Sequence, residues 1–185
     1  MPTDLKGKRV AFIATHGVEQ VELTEPWKAV REAGGEPVLV SPQPGEIQGF
    51  NHRDKGETFS VDATFDSVSP TDFDGLVIPG GVINPDRLRM DEGAVKFVQG
   101  CFQSDLPVAA ICHGPWMLVE ADAVRGRTVT SWPSLRTDIR NAGGTWVDRK
   151  LAVDGKLITS RKPDDLEAFC PAIVELLAGG RPSGA

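Results

Sequence analysis

Cys112 and His113 carry the strongest chemical signal in this chain. The apolar run Pro107–Ile111 ends at the cysteine, the histidine follows at once, and Gly114–Ala121 reads as a helix opened by Gly-Pro. Such a pattern predicts a sharp strand-to-helix elbow. It lifts the Cys112 thiol at the carboxyl end of a strand, where open α/β sheets keep their sites. The sulfur then lies by a helix amino end, whose unpaired N–H groups and dipole favour thiolate over thiol. A cysteine at a strand end is also a common core residue. The adjacent histidine and the Gly-Pro break favour the reactive reading. A thiolate adds to carbonyl carbon, and turnover needs a base within reach plus a group that holds the base's tautomer. Adjacency alone does not put His113 against Cys112, because neighbours at a turn rarely face each other. Asp86 is the nearest candidate to orient the histidine, from this chain or from a partner subunit.

Two further loops belong at the same end of the sheet. Thr15–Leu23 follows the first strand and carries Glu19 and Glu22. Both acids suit a helix amino terminus. One of them can instead point at Cys112, where burial and like charge raise its pKa so that it stays protonated and donates to sulfur. Spacing alone does not choose between them. Pro79–Asp86 follows another buried strand, and its Gly80 and Gly81 leave backbone N–H groups free to turn toward a ligand. With the N–H of His113 they can form an oxyanion hole; the plain alternative is a tight turn. Thr130–Pro133 is placed to wall the pocket, although Trp132 also suits core or interface. His16 and Arg161 carry weaker signals.

The elements that hold these loops alternate between apolar runs and helix-period segments, the pattern of a parallel α/β sheet. Strands are predicted at Arg9–Ala14, Glu36–Ser41, Phe73–Pro79, the Cys112 run and Thr128–Ser131. Helices are predicted at Thr24–Ala33 (Pro26 in its first turn), Asp91–Gln103, Gly114–Ala121, Ser134–Asn141 and Asp164–Leu177. Gly45–Asp62 reads as a hairpin excursion. Trp146–Val153 and Lys156–Ser160 read as a second hairpin about Asp154-Gly155. Gly179–Ala185 reads as a frayed tail.

The 185 residues suit one domain spanning 1–185. A net charge of −6 with no Lys/Arg run makes nucleic acid and anionic membrane poor partners. No stretch approaches the ~20 apolar residues of a membrane span, and Met1–Arg9 leads into a strand and not into a signal segment. Three widely spaced cysteines without a CxxC suggest a reducing, cytoplasmic setting. His16, His52 and His113 lack ligand spacing. Neither a metal nor a cofactor is expected.

Taken together these residues resemble the PfpI/ThiJ superfamily, closest to the PfpI intracellular protease and bacterial general-stress branch. The likeness is carried by Gly17–Pro26, Leu76–Gly81, Ala110–Pro115 and Gly126–Pro133, and extended by Asn141–Asp148 and Ile158–Leu166. It implies a flavodoxin-like three-layer sandwich, with a mostly parallel central sheet and helices on both faces. It also implies that Cys112 is the reactive thiol, that Glu22 is the acid on its sulfur, and that His113 is the histidine of a PfpI-type triad. Gly81 and the His113 N–H match the proposed oxyanion donors. The triad acid comes from a neighbouring subunit and is Glu in the archetype; Asp86 stands at the matching position, one methylene shorter. The implied assembly is a homo-oligomer, a dimer or larger, with a shared site. The expected function is a stress-response cysteine hydrolase acting on small carbonyl or peptide substrates, as a peptidase or in deglycase- or glyoxalase-like hydrolysis. The alternative is a non-catalytic oxidative-stress sensor or chaperone working through oxidation of Cys112. The two differ in His113: turnover needs a base, sensing does not.

Overall fold

A computed structural model describes residues 3–182. Its first half runs β1 (Arg9–Ile13), β2 (Val18–Glu19), α1 (Gln20–Glu32), β3 (Glu36–Ser41), β4 (Glu46–Asn51), β5 (Asp54–Ser60), β6 (Ala63–Thr64), β7 (Gly75–Ile78) and α2 (Ile83–Leu88). The second half runs α3 (Glu92–Gln103), β8 (Val108–Ile111), α4 (Trp116–Glu120), β9 (Thr128–Val129), α5 (Arg136–Asn141), β10 (Thr145–Trp146), β11 (Ala152–Asp154), β12 (Leu157–Ser160) and α6 (Leu166–Leu177). Of the tail read as frayed, residues 183–185 lie outside the described residues.

Seven strands form one sheet in the order β11-β12-β8-β7-β1-β3-β6. Every neighbouring pair is parallel except β11 with β12 at one edge. Successive side chains of a strand go to opposite faces. Ala11, Ile13, Leu76, Ile78 and Ala110 pack toward Phe97 of α3, Met117 of α4 and Ile139 of α5. Val10, Phe12, Val77, Ala109 and Ile111 pack toward Leu23 of α1 and Phe169 and Ile173 of α6. Both faces are covered, which is why these strands read as unbroken apolar runs. The three layers agree with the expected α/β architecture.

The differences lie where tertiary pairing overrides local signals. α1 starts at Gln20, four residues before the expected Thr24, so Pro26 sits well inside the helix. The cause is β2: Val18 and Glu19 pair with Gly49 and Phe50 of β4, and the chain turns into a helix directly after them. That earlier start brings Glu22 into the first helical turn. The hairpin expected within Gly45–Asp62 forms as β4 and β5, and the β2 pairing folds it over the carboxyl end of the sheet. Trp146–Val153 is not one strand. Trp146 pairs with Val129 in a separate two-stranded sheet, and only Ala152–Asp154 joins β12. Asp154 pairs with Leu157, so the turn residues are Gly155-Lys156, one position later than expected. α2 begins inside the Pro79–Asp86 loop, at Ile83, so Asp86 lies in the first turn of a helix and is exposed there.

Candidate active site

Cys112 leaves the end of β8 with φ 63, in the left-handed region that non-glycine residues rarely enter. Such strain costs roughly 1–3 kcal/mol and persists only where the surroundings over-determine it. Here the Cys112 N–H donates to Ser160 O at 3.0 Å, and Cys112 O accepts from Trp132 N at 2.9 Å. Gly114 completes the elbow, because a Cβ there would lie 2.6 Å from Ile78 O. The tight turn brings sequence neighbours face to face. Cys112 Sγ lies 3.3 Å from His113 Nδ1, a contact that adjacency did not imply.

His113 is buried, stacked on Trp132 with centroids 5.8 Å apart and edge-on to Trp116 at 5.1 Å. Burial lowers its pKa from 6.5 to about 4. The imidazole is therefore neutral near pH 7, and in its Nε2–H tautomer Nδ1 can accept the thiol proton. Cys112 is 7% exposed. Burial pushes its thiol up, and a charged Glu22 pushes the same way; the backbone N–H groups of Gly81 and His113 oppose both. A standing thiolate, as expected from the helix end alone, is therefore not what burial favours. Its stability depends on whether Glu22 holds a proton.

Glu22 is fully buried, and its two carboxyl oxygens lack a well-aligned hydrogen bond. They face Cys112 and the N–H groups of Gly81 and Gly80, close enough that all three affect its acidity. Burial first, and the charge of Glu19 second, raise its pKa from 4.5 to about 8. Glu19 turns away from the sulfur. Its carboxylate accepts from His52 N at 3.3 and 3.2 Å and lies 3.6 Å from His52 Nδ1, pinning the β4–β5 hairpin. The two acids that the spacing left equivalent are thus separated by α1.

The Pro-Gly-Gly loop fills the space between them. A Cβ on Gly80 would lie 2.7 Å from Glu22 Oε1 and 2.8 Å from Cys112 Cβ, so only glycine fits. The Gly80 N–H faces Glu22 and not the sulfur, because β7 ends with that peptide turned toward α1. Of the two glycines expected as oxyanion donors, only Gly81, at φ 82, directs its N–H to Cys112. The loop is tied down by Asn84, which is fully buried. Asn84 Nδ2 donates to Pro79 O at 3.2 Å and Gly80 O at 3.1 Å, and Oδ1 accepts from Thr15 N at 2.7 Å. Asn84 escaped the sequence analysis because nothing in its type or spacing marks it. Replacing Asn84 by Ala is expected to destabilise the protein by about 1–3 kcal/mol, by leaving buried backbone groups unpaired. Denaturant melts measure this, and a change below about 0.5 kcal/mol would mean that water replaces the amide.

A cavity of about 480 Å³ opens above the thiol. Cys112, His113 and Gly81 form part of its lining, with Trp132, Val82 and Ile83 on one side and Phe50, His52 and Arg53 of the hairpin on another. Trp132 therefore walls the pocket. His16 Nδ1 accepts from Gln48 N at 3.0 Å and serves the hairpin. Arg161 is held charged by Asp165 at 2.8 Å and Asp148 at 2.7 Å, a structural clamp beyond the end of β12.

Residues 8–176 match the DJ-1/PfpI family. The chain belongs to that family. It is 42% identical over 169 residues to deglycase PH1704 of Pyrococcus horikoshii, covering 91% of this chain and 99% of that one. It is also 42% identical over 164 residues to general stress protein 18 of Bacillus subtilis, covering 88% and 94%. A solved two-domain protein of Anabaena variabilis, with DJ-1/ThiJ/PfpI-like and ferritin-like domains, superposes with TM-score 0.88 at 36% identity. The match covers 95% of this chain and 50% of that protein. The fold of this DJ-1/PfpI chain is accordingly flavodoxin-like.

Two features of this DJ-1/PfpI site stand apart from the cysteine and Glu22. Among the described residues, no carboxylate lies within 4.0 Å of His113. Asp86 is exposed on α2 and makes no side-chain hydrogen bond or ion pair among them. Within one chain, then, Asp86 and His113 are not brought together. Val82, Ile83 and Met90, beside Asp86 in sequence, are among the exposed large apolar residues. No group of three or more His, Cys, Asp or Glu among the described residues is placed to hold a metal ion, and no described helix is long and apolar enough to cross a membrane.

Proposed function

We propose that this protein is a cysteine-dependent hydrolase of small carbonyl compounds, of deglycase or glyoxalase type. The supporting observation is the 3.3 Å contact between Cys112 Sγ and a neutral His113 Nδ1 at the floor of a cavity of small-molecule size. Cys112 Sγ adds to the carbonyl carbon, and the thiol proton passes to His113 Nδ1. The carbonyl oxygen takes the charge beside the Gly81 and His113 N–H groups. Protonated Glu22 keeps a second negative charge away from the sulfur. For an adduct of a 2-oxoaldehyde on an amine, the net reaction is adduct plus water to amine plus 2-hydroxy acid. The aldehyde carbon is oxidised and its neighbour reduced within one molecule, so no external oxidant is needed. A relative carrying the name deglycase at 42% identity agrees with this class. A pocket of about 480 Å³ suits a small substrate better than an extended peptide. Three unpaired cysteines suit a reducing, cytoplasmic setting.

The working unit in this reading is a homodimer or larger assembly in which Asp86 of one subunit orients His113 of the next. A two-fold pairing gives two equivalent sites from two shared loops. Steady-state assay of the reduced protein with methylglyoxal, glycated amino acids and casein tests the reaction, with Cys112→Ala as blank. Mixing inactive Cys112→Ala and Asp86→Ala subunits tests the sharing: part of the activity should return. Normal turnover by Asp86→Ala alone would reject the shared triad.

A second reading, an oxidative-stress sensor, draws on the unpaired Glu22 oxygens beside the sulfur. A protonated Glu22 can donate to a sulfinate on Cys112. Oxidation by peroxide at equal rate in wild type and His113→Ala, without turnover of any carbonyl substrate, would favour it.

A further inference from the structure

The outer part of the cavity is shaped by the tip of the β4–β5 hairpin. Asn51 pairs with Asp54, so the tip consists of only His52 and Arg53. His52 has φ 59, and Arg53 lacks a positive φ. A positive φ at the first central residue alone suits a type II′ turn, where glycine is the usual occupant. Histidine accepts that conformation at a steric cost. The buried Glu19 offsets it by accepting the His52 N–H with both oxygens and holding the ring at 3.6 Å. A strained turn maintained by specific bonds is a common feature of ligand clamps.

What this turn presents to the cavity is Arg53. Its side chain is exposed and lines the same cavity as Cys112 and His113. Among the described residues it has no hydrogen bond, ion pair or ring contact. His52 is committed to Glu19, and Glu19 to His52, which leaves Arg53 as the free charge of the cavity wall. The wall of this cavity thus holds one guanidinium, that of Arg53, and one carboxylate, that of Glu19, which is turned to His52. A guanidinium presents a fork of donors that matches a carboxylate.

We propose that Arg53 is the specificity-determining residue of the pocket and binds a carboxylate on the substrate. The preferred substrates are then carbonyl adducts of free amino acids, not adducts on the side chains of folded proteins. The reacting carbon sits at the buried floor and Arg53 at the exposed rim, so several bonds must separate the carbonyl from the anion. A neutral 2-oxoaldehyde gains nothing from Arg53. The substrate class rests on the carbonyl chemistry proposed above; the anion subsite does not.

Two probes separate the two. Alkylation of Cys112 by 3-maleimidopropionate and by its amide, followed by mass spectrometry, reports the anion subsite without turnover. In wild type the acid should react about five- to tenfold faster than the amide at low salt. Arg53→Ala should bring the ratio to one or below, and Arg53→Lys should keep part of it. An equal rate for acid and amide in wild type, an unchanged ratio in Arg53→Ala, or no labelling of Cys112 at all would overturn the proposal. Turnover of the methylglyoxal adducts of N-acetylcysteine and N-acetylcysteine amide then tests the substrate class. The acid should show the higher kcat/KM, and Arg53→Ala should lose that advantage. No turnover of either adduct, with the maleimide ratio intact, would discard the carbonyl reading and leave the anion subsite standing.

Discussion

Cys112→Ala is expected to lower kcat/KM on any carbonyl substrate by at least about a thousandfold, the order seen when the nucleophile of a coupled catalytic set is removed. The fold should survive. The elbow is held by backbone hydrogen bonds to Ser160 and Trp132, which do not involve the sulfur. Cys112→Gly should be more stable than Cys112→Ala by about 1 kcal/mol, because φ 63 carries no Cβ penalty in glycine. Both variants should be equally inactive, so activity and stability separate at one position. Steady-state kinetics together with denaturant melts check this. Turnover within tenfold of wild type in Cys112→Ala would remove the thiol from the mechanism.

Glu22 should govern how stability depends on pH. Its pKa is raised from 4.5 to about 8, mainly by burial, so between those values the native state binds a proton that the unfolded chain releases. Stability from this group is fully present below pH 4.5 and is lost as pH rises through about 8. Glu22→Gln does not titrate. The difference in unfolding free energy, wild type minus Glu22→Gln, should therefore fall by roughly 3–5 kcal/mol from pH 4.5 to above 8. His113 acts with the opposite sign: its pKa is lowered to about 4, so its contribution is lost as pH falls through that value. Subtracting the Gln variant cancels the His113 contribution. Cys112 alkylation gives a second readout. Glu22→Gln keeps a neutral donor at the sulfur and should label within about threefold of wild type, whereas Glu22→Ala should slow by more than tenfold, losing a hydrogen bond to a charged sulfur. A flat wild-type difference, or rapid labelling in Glu22→Ala, would show that the carboxyl is ionised or idle.

Much of this arrangement is legible in residue order. Unbroken apolar runs from Arg9, Phe73 and Pro107 report strands buried on both faces, and Cys-His-Gly-Pro after one of them reports an elbow. Those signals are local: they depend on which neighbours a strand or turn tolerates. The hairpin within Gly45–Asp62 was legible too, as alternating short segments between turn residues. Its position over the cavity was not, because that depends on two residues, Val18 and Glu19, pairing with Gly49 and Phe50.

By itself the sequence determined the α/β layering, the cysteine at a strand end, and the set of acids and glycines available to serve it. Only the tertiary structure decided how they divide the work. Glu19 and Glu22 are three residues apart and chemically alike, yet the early start of α1 buries one at the sulfur and leaves the other to hold His52. Asn84 became a brace because β1 and β7 lie side by side and their following loops meet. The acidity of Cys112, His113 and Glu22 follows from burial, which no single residue encodes. Desolvation and charge coupling act through space over a few ångströms, here between Glu22 and Cys112, which the chain separates by ninety residues.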